Sequence, residues 1–365
     1  MKSPNAMDNR FMGLALSIGR RGLGRVWPNP NVGCVIVRPD SNGGRIIGRG
    51  WTADRGRPHA ETQALAGIDA AGATAYVTLE PCAHHGKTPP CADALITAKI
   101  SRVVIAAVDP DSRVAGKGIA MLRAAGIEVV TGVREAEARA DMAGFLLRVT
   151  QNRPFVTLKL ASSFDGRIAT ATGESKWITG PQARRMVHAQ RARHDAVLVG
   201  AGTVRADDPS LTVRDIGKVR QPVRIVASGR LDIEAQALLE TSDDAPLWLI
   251  HGPDVDTDRW RDRGAETIEC AINGRQIAPE DMMRKLAERG LTRVFCEGGG
   301  TLAASLLGAG LVDELIGFTA GKILGAEGTP SIGAMGLEKL SEAPQFTLVE
   351  TRAVGPDLMH RWQRS

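Results

Sequence analysis

The sequence predicts a two-domain α/β protein, on three observations. At 365 residues the chain is long for one compact core and comfortable for two. Short β-branched runs alternate with helix-period segments through both halves. A proline-marked break, Thr150-Gln151-Asn152-Arg153-Pro154, falls between them. The expected domains are 1–150 and 151–365.

The first domain opens with Phe11, Leu14, Ala15 and Ile18, spaced to share one helix face. The apolar run 32–37 is a buried strand, and 61–71 follows as a helix. A strand at 75–79, a helix at 91–99 and a strand at 102–107 come next. The segments 118–125 and 128–131 repeat the unit, and a helix through Phe145 and Leu147 closes the domain. The second domain starts with a strand at 155–160. Further strands are expected at 196–199, 223–227, 247–250, 293–296 and 314–318, with helical segments between most of them.

Composition narrows the class. Apolar residues make up 43% and charged residues 24%, an ordinary globular balance. No run approaches the roughly 18 apolar residues of a membrane span, and the first residues carry no long apolar leader. A cytoplasmic protein without membrane contact is expected. Only 4% of residues are aromatic, so the cores must be aliphatic. The charge is uneven: 19 Lys+Arg against 13 Asp+Glu in 1–150, and 27 against 28 in 151–365. A basic first half suits an anionic partner, nucleic acid or a phosphorylated metabolite. Five cysteines cannot all pair. Cys34, Cys270 and Cys296 lie in apolar stretches and read as buried small hydrophobes.

The remaining two cysteines carry the chemistry. His59-Ala60-Glu61 is followed by Pro81-Cys82 and then Cys91. One histidine and two cysteines make the three protein ligands of a hydrolytic zinc site, with a fourth position open to water. Glu61, two residues after His59, suits a proton carrier that does not bind the metal. Zinc nucleobase deaminases show H-x-E followed by P-C-x-x-C. Here the cysteines stand nine apart and enclose Ala83-His84-His85-Gly86-Lys87-Thr88-Pro89-Pro90. His84 and His85, in that loop, suit substrate contact better than metal ligation.

Pro28-Asn29-Pro30-Asn31-Val32-Gly33-Cys34-Val35, His59-Ala60-Glu61 and the stretch from Glu80 to Cys91 together resemble the bifunctional deaminase–reductases of riboflavin biosynthesis. The long loop between the cysteines is a feature of that family. The resemblance implies a cytidine-deaminase-like first domain and a dihydrofolate-reductase-like second domain. Asn29 is similar to the family's substrate-facing position.

The second half supports the resemblance at three places. Arg293-Val294-Phe295-Cys296 runs into Glu297-Gly298-Gly299-Gly300 and a helix, a strand–glycine–helix turn suited to a phosphate. It is not the G-x-G-x-x-G fingerprint. The segments 158–179 and 199–214 are rich in Gly, Ser, Thr and Asp after strands, where α/β sheets bind ligands. Carried over position by position, the resemblance implies nicotinamide-cofactor contacts at Ala161, Trp177, Thr203, Asp207, Gly299, Gly300, Thr301, Leu302, Ala303, Ala304 and Ser305. It implies substrate contacts at Ser175, Arg191, Leu211, Arg214 and Glu297. Arg191 and Arg214 suit a sugar phosphate. Trp177 also reads as plain core and Asp207 as a turn residue. Lys159, a cation inside a strand, is a further candidate for charge or proton handling.

The implied activity is zinc-dependent deamination of a diamino-pyrimidinone ribosyl phosphate, then NADPH-dependent reduction of ribosyl to ribityl. The alternative is a tRNA-base deaminase with an accessory domain. One Tyr and seven Phe offer few rings to stack on bases, and the second half is near neutral, so no nucleic-acid partner is expected. Deaminase-like sheets commonly pair, so a homo-oligomer, such as a dimer, is expected.

Overall fold

The computed structural model describes residues 5–41, 43–83, 89–111 and 115–365. The chain forms two compact units, Met1–Gln151 and Asn152–Ser365.

The first unit begins with α1 (Ala6–Gly19). Asn5 caps it: its side chain accepts from Asp8 N–H at 2.8 Å, and the Asp8 carboxylate accepts from Asn5 N–H. The buried Asp8 also takes two hydrogen bonds from Arg102, at 2.7 and 3.0 Å, and one from the only tyrosine, Tyr76, at 3.2 Å. Then follow β1 (Gly33–Arg38), β2 (Arg45–Trp51), α2 (Ala60–Leu65), β3 (Thr74–Leu79) and α3 (Cys91–Thr97). β4 (Arg102–Ala107), α4 (Lys117–Ala124), β5 (Glu128–Thr131), α5 (Glu135–Asp141) and α6 (Ala143–Gln151) complete the unit. The sheet order is β2-β1-β3-β4-β5. β1 is antiparallel to β2 and β3, whereas β3, β4 and β5 are parallel. Its core is aliphatic, with Val35, Ile36, Val77, Val104, Ile105 and Leu122 fully buried.

Two details depart from the sequence reading. α2 stops at Leu65, short of the expected residue 71. β2 was not expected at all. Gly48 and Gly50 explain why that strand is cryptic: a Cβ on either would stand 2.1 Å from the carbonyl oxygen of Ala64 or Ala60. Bare backbone replaces the side chains that announce a strand, and α2 seats directly on β2.

The second unit contains β6 (Phe155–Ser163), β7 (Arg167–Ala169), α7 (Pro181–Arg191), β8 (Ala196–Gly200), α8 (Ala201–Asp207) and β9 (Val223–Ala227). Next come α9 (Gln236–Glu240), β10 (Leu247–His251), α10 (Asp258–Arg261), β11 (Glu266–Glu269), β12 (Ile272–Asn273), β13 (Gln276–Ile277) and α11 (Pro279–Glu288). β14 (Arg293–Cys296), α12 (Gly300–Gly308), β15 (Glu314–Ala320), β16 (Thr329–Pro330), β17 (Phe346–Val354) and β18 (Asp357–Arg364) end the chain. Nine strands form one sheet in the order β11-β10-β9-β8-β14-β6-β15-β18-β17. Its first seven are parallel to their neighbours, and the final hairpin joins antiparallel. That hairpin was absent from the sequence reading, which ended its strands at 318. Cys34, Cys270 and Cys296 are buried as expected. No helix among the described residues is long and apolar enough to cross a membrane.

Candidate active sites in the two units

In the first unit three short segments converge. His59 is the residue before α2, Cys82 lies just beyond β3, and Cys91 opens α3. His59 Nδ1 stands 3.3 Å from Cys91 Sγ and 3.7 Å from Cys82 Sγ. All three donor atoms lie within 4.8 Å of one another. Tetrahedral zinc, with bonds of about 2.05 Å to nitrogen and 2.3 Å to sulfur, separates such ligands by about 3.6 Å. The observed spacings bracket that value, so the donor set fits the ion. His84 and His85 lie outside the described residues.

The electrostatics agree. The Cys91 side chain and backbone N–H bond to the Cys82 sulfur and, with His59, draw its thiol down to about 4. Cys91 is pushed the other way, by its hydrogen bond to Cys82 and by burial. The hydrogen bond with Cys82 raises His59. Glu61 is 4% exposed, and burial lifts its carboxyl to about 7. Asn29 lies with its side chain against the turn at Gly56.

One supporting residue escaped the sequence reading. Glu80, two positions before Cys82, is buried. Its carboxylate accepts from the N–H groups of Gly116 at 3.0 Å, Ile119 at 3.2 Å and Asp109 at 3.4 Å. It thereby ties the end of β3 to the start of α4. An acid closing an apolar run was the signal available in the sequence.

In the second unit the predicted residues gather at the carboxyl ends of adjacent parallel strands. Ala161 is on β6, Gly200 ends β8, and Glu297 directly follows β14. The glycine turn is packed backbone to backbone: a Cβ on Gly298 would stand 2.7 Å from Gly200 N, and one on Gly300 would stand 3.0 Å from Pro330 O. A Cβ on Gly299 would meet Thr203 Oγ1 at 3.3 Å, so these two predicted positions are neighbours. Asp207, exposed, lies one turn after Thr203 in α8. The N–H of Ala303 already bonds Gly299 O at 3.1 Å. The opening donors of α12, at Gly300, Thr301 and Leu302, point out of the helix end. Ala303 and Ala304 are buried, and Ser305 lies further along the helix. This cradle of bare backbone and helix N–H groups fits a dinucleotide phosphate.

Glu297 is the centre of a charged cluster. Arg191 grips its carboxylate with two nitrogens and gives a third hydrogen bond to Thr212 O at 2.9 Å. Lys159 Nζ approaches the same carboxylate at 3.7 Å. Burial would raise Glu297, but Arg191 and Lys159 hold it below the usual range. The Arg191 fork is thus directed at Glu297 in this structure. Arg214 is exposed, and its guanidinium makes no hydrogen bond or ion pair among the described residues. Leu211 is buried at 2% exposure, and Ser175 is half-buried. Trp177, 63% exposed, is not core.

Comparisons with known proteins match both units. Residues 5–107 match the cytidine and deoxycytidylate deaminase zinc-binding region, and 154–360 match the RibD C-terminal domain. The riboflavin biosynthesis protein RibD of Escherichia coli is 43% identical, over 96% of this chain and 98% of that protein. The structure of Acinetobacter baumannii RibD superposes with a TM-score of 0.87 at 39% identity, covering 98% of this chain and 99% of that one. A diaminohydroxyphosphoribosylaminopyrimidine deaminase/5-amino-6-(5-phosphoribosylamino)uracil reductase from Thermotoga maritima gives 0.86 at 37% identity with the same coverage. The tRNA-deaminase alternative gains no support from these matches. The chain belongs to the RibD family of bifunctional riboflavin-biosynthesis enzymes, in which a zinc-dependent deaminase is joined to an NADPH-dependent reductase acting on a phosphoribosyl pyrimidine.

Proposed function

We propose that His59, Cys82 and Cys91 hold the zinc ion and that Glu61 is the proton carrier of the deaminase. The observation that carries this reading is the fit of three donor atoms to zinc spacing beside a buried carboxyl. The bound ion supplies Lewis-acid activation of water. Glu61 takes the proton of the attacking water at its carboxylate oxygen and returns it to the departing amine. Its position at the second residue of α2, seated on β2, keeps the carboxyl fixed and dry. Asn29 faces the pyrimidine from the segment before β1.

The substrate is 2,5-diamino-6-ribosylamino-4(3H)-pyrimidinone 5′-phosphate, and deamination precedes reduction. In the second unit Ala161, Trp177, Thr203, Asp207 and the stretch 299–305 contact the cofactor. Within that stretch, Gly300, Thr301 and Leu302 carry the phosphate contacts through N–H groups. NADPH supplies the hydride. Ser175, Leu211, Arg191, Glu297 and Lys159 form the substrate side, with Glu297 ordering both cations. Arg214, whose guanidinium is uncommitted, meets the sugar phosphate. The protein is cytoplasmic and assembles as a homo-oligomer, which light scattering of the purified protein tests.

A coupled assay tests the catalytic reading. Ammonia release should need no NADPH, and NADPH oxidation should follow it. Glu61→Ala should lower ammonia release at least about 100-fold and leave reduction of pre-deaminated substrate intact. Normal ammonia release by that variant would remove Glu61 from the mechanism.

A further inference from the structure

Trp177 leaves 63% of its surface open, yet it is held from two sides. The Arg184 guanidinium sits 4.3 Å from the ring centroid and donates to Thr179 O at 2.8 Å. Lys322 Nζ donates to the Trp177 carbonyl at 2.7 Å. Lys322 is itself anchored. Its carbonyl accepts from Phe164 N–H at 2.8 Å, and the Asp165 carboxylate accepts from Leu324 N–H at 3.2 Å and Gly325 N–H at 2.8 Å. The segment after β15 is thus fastened to the segment after β6, and Trp177 is fastened to the former through Lys322.

Fixing two long cationic side chains at an exposed position costs conformational entropy, and burial of the indole does not repay it. The arrangement makes sense if the ring has a ligand. One face is capped by a guanidinium, which leaves the other for a flat group. Location identifies the group. β14, β6 and β15 are consecutive in the sheet. The glycine cradle follows β14, on one side of β6, and Lys322 follows β15, on the other. A dinucleotide with its phosphates in the cradle can extend its reactive ring across the end of β6, past Ala161, to Trp177.

We infer that Lys322 and Arg184 are positioning residues that hold Trp177 as a preformed stacking surface for the nicotinamide ring. The inference rests on Trp177 being a cofactor contact and adds how it is kept ready. A ring already immobilised costs the ligand less ordering on binding.

The test is a tryptophan-fluorescence titration of the full-length protein with NADP+ and, separately, with 2′,5′-ADP, which lacks the nicotinamide. Lys322→Met and Arg184→Ala should each weaken NADP+ by about five- to tenfold, the range expected for a lost cation–ring or carbonyl contact. Both should leave 2′,5′-ADP affinity unchanged, and Lys322→Arg should restore NADP+ binding. Equal weakening of both ligands would reduce the two residues to general structural support and overturn the inference. So would an unchanged NADP+ affinity in both variants while Trp177→Leu weakens it. If Trp177→Leu itself leaves NADP+ affinity unchanged, the cofactor reading of Trp177 falls first.

Discussion

The two sites solve different problems with different parts of the chain. The proposed zinc site draws on four side chains from 33 positions, His59 to Cys91, and every one offers a reactive atom. The proposed reductase site draws on positions from Lys159 to Lys322, and much of it is backbone: a glycine turn, a helix end and carbonyl anchors. The difference follows from who does the chemistry. A hydrolytic metal site needs named donors at fixed distances. A hydride site borrows its reactive group from the cofactor, and the protein supplies shape. The first should respond to damage as a switch and the second by degrees.

Chelation gives the sharpest contrast. Removing zinc should abolish ammonia release while NADPH oxidation with pre-deaminated substrate continues at its normal rate. Parallel loss of both activities would break the contrast. An intermediate effect is expected at Glu297. Glu297→Gln leaves Arg191 and Lys159 without their shared carboxylate, and reductase kcat/KM should fall by about 10- to 100-fold. Deaminase rates measured on the same sample should not change.

The smallest effect concerns stability. His194 is buried, with Nδ1 against Gln190 O at 2.7 Å and Nε2 against Thr157 Oγ1 at 3.0 Å. Burial depresses its pKa to about 3, from an ordinary 6.5. The unfolded chain therefore binds a proton that the folded one refuses between those values. The stability it contributes is complete above pH 6.5 and is lost as pH falls towards 3, by up to about 1.4 kcal/mol per pH unit. Urea denaturation between pH 7 and 5 should show a shallower pH dependence for His194→Gln than for the parent. Equal slopes would mean that this histidine is not held neutral.

The same contrast decides what the sequence could reveal. That His59, Cys82 and Cys91 come together was legible, because the type and spacing of metal donors show in the sequence. So were most of the buried strands of both sheets, which stand out as short, largely apolar runs. β2 was not, because Gly48 and Gly50 give up the side chains that mark a strand so that α2 can approach. The β17–β18 hairpin was missed because it lies at the edge of its sheet with mostly open faces, so charged residues interrupt its pattern. The partner of Arg191 was not legible: nothing in spacing alone shows that Glu297, 106 residues on, fills its fork. Lys322 acts through a carbonyl 145 residues away, and no motif announces such a bond.

Glu80 has a practical consequence. Its carboxylate fastens the end of β3, two residues before Cys82, to the start of α4 through backbone N–H groups. The metal's three candidate donors thus sit on segments that hydrogen bonds and sheet pairing already join to the rest of the unit. A chelated preparation should stay folded, melting lower by what zinc binding to the native state adds, and should accept cobalt in place of zinc. An experimenter could silence the deaminase, study the reductase alone in the intact chain, and restore the first reaction by adding back the ion.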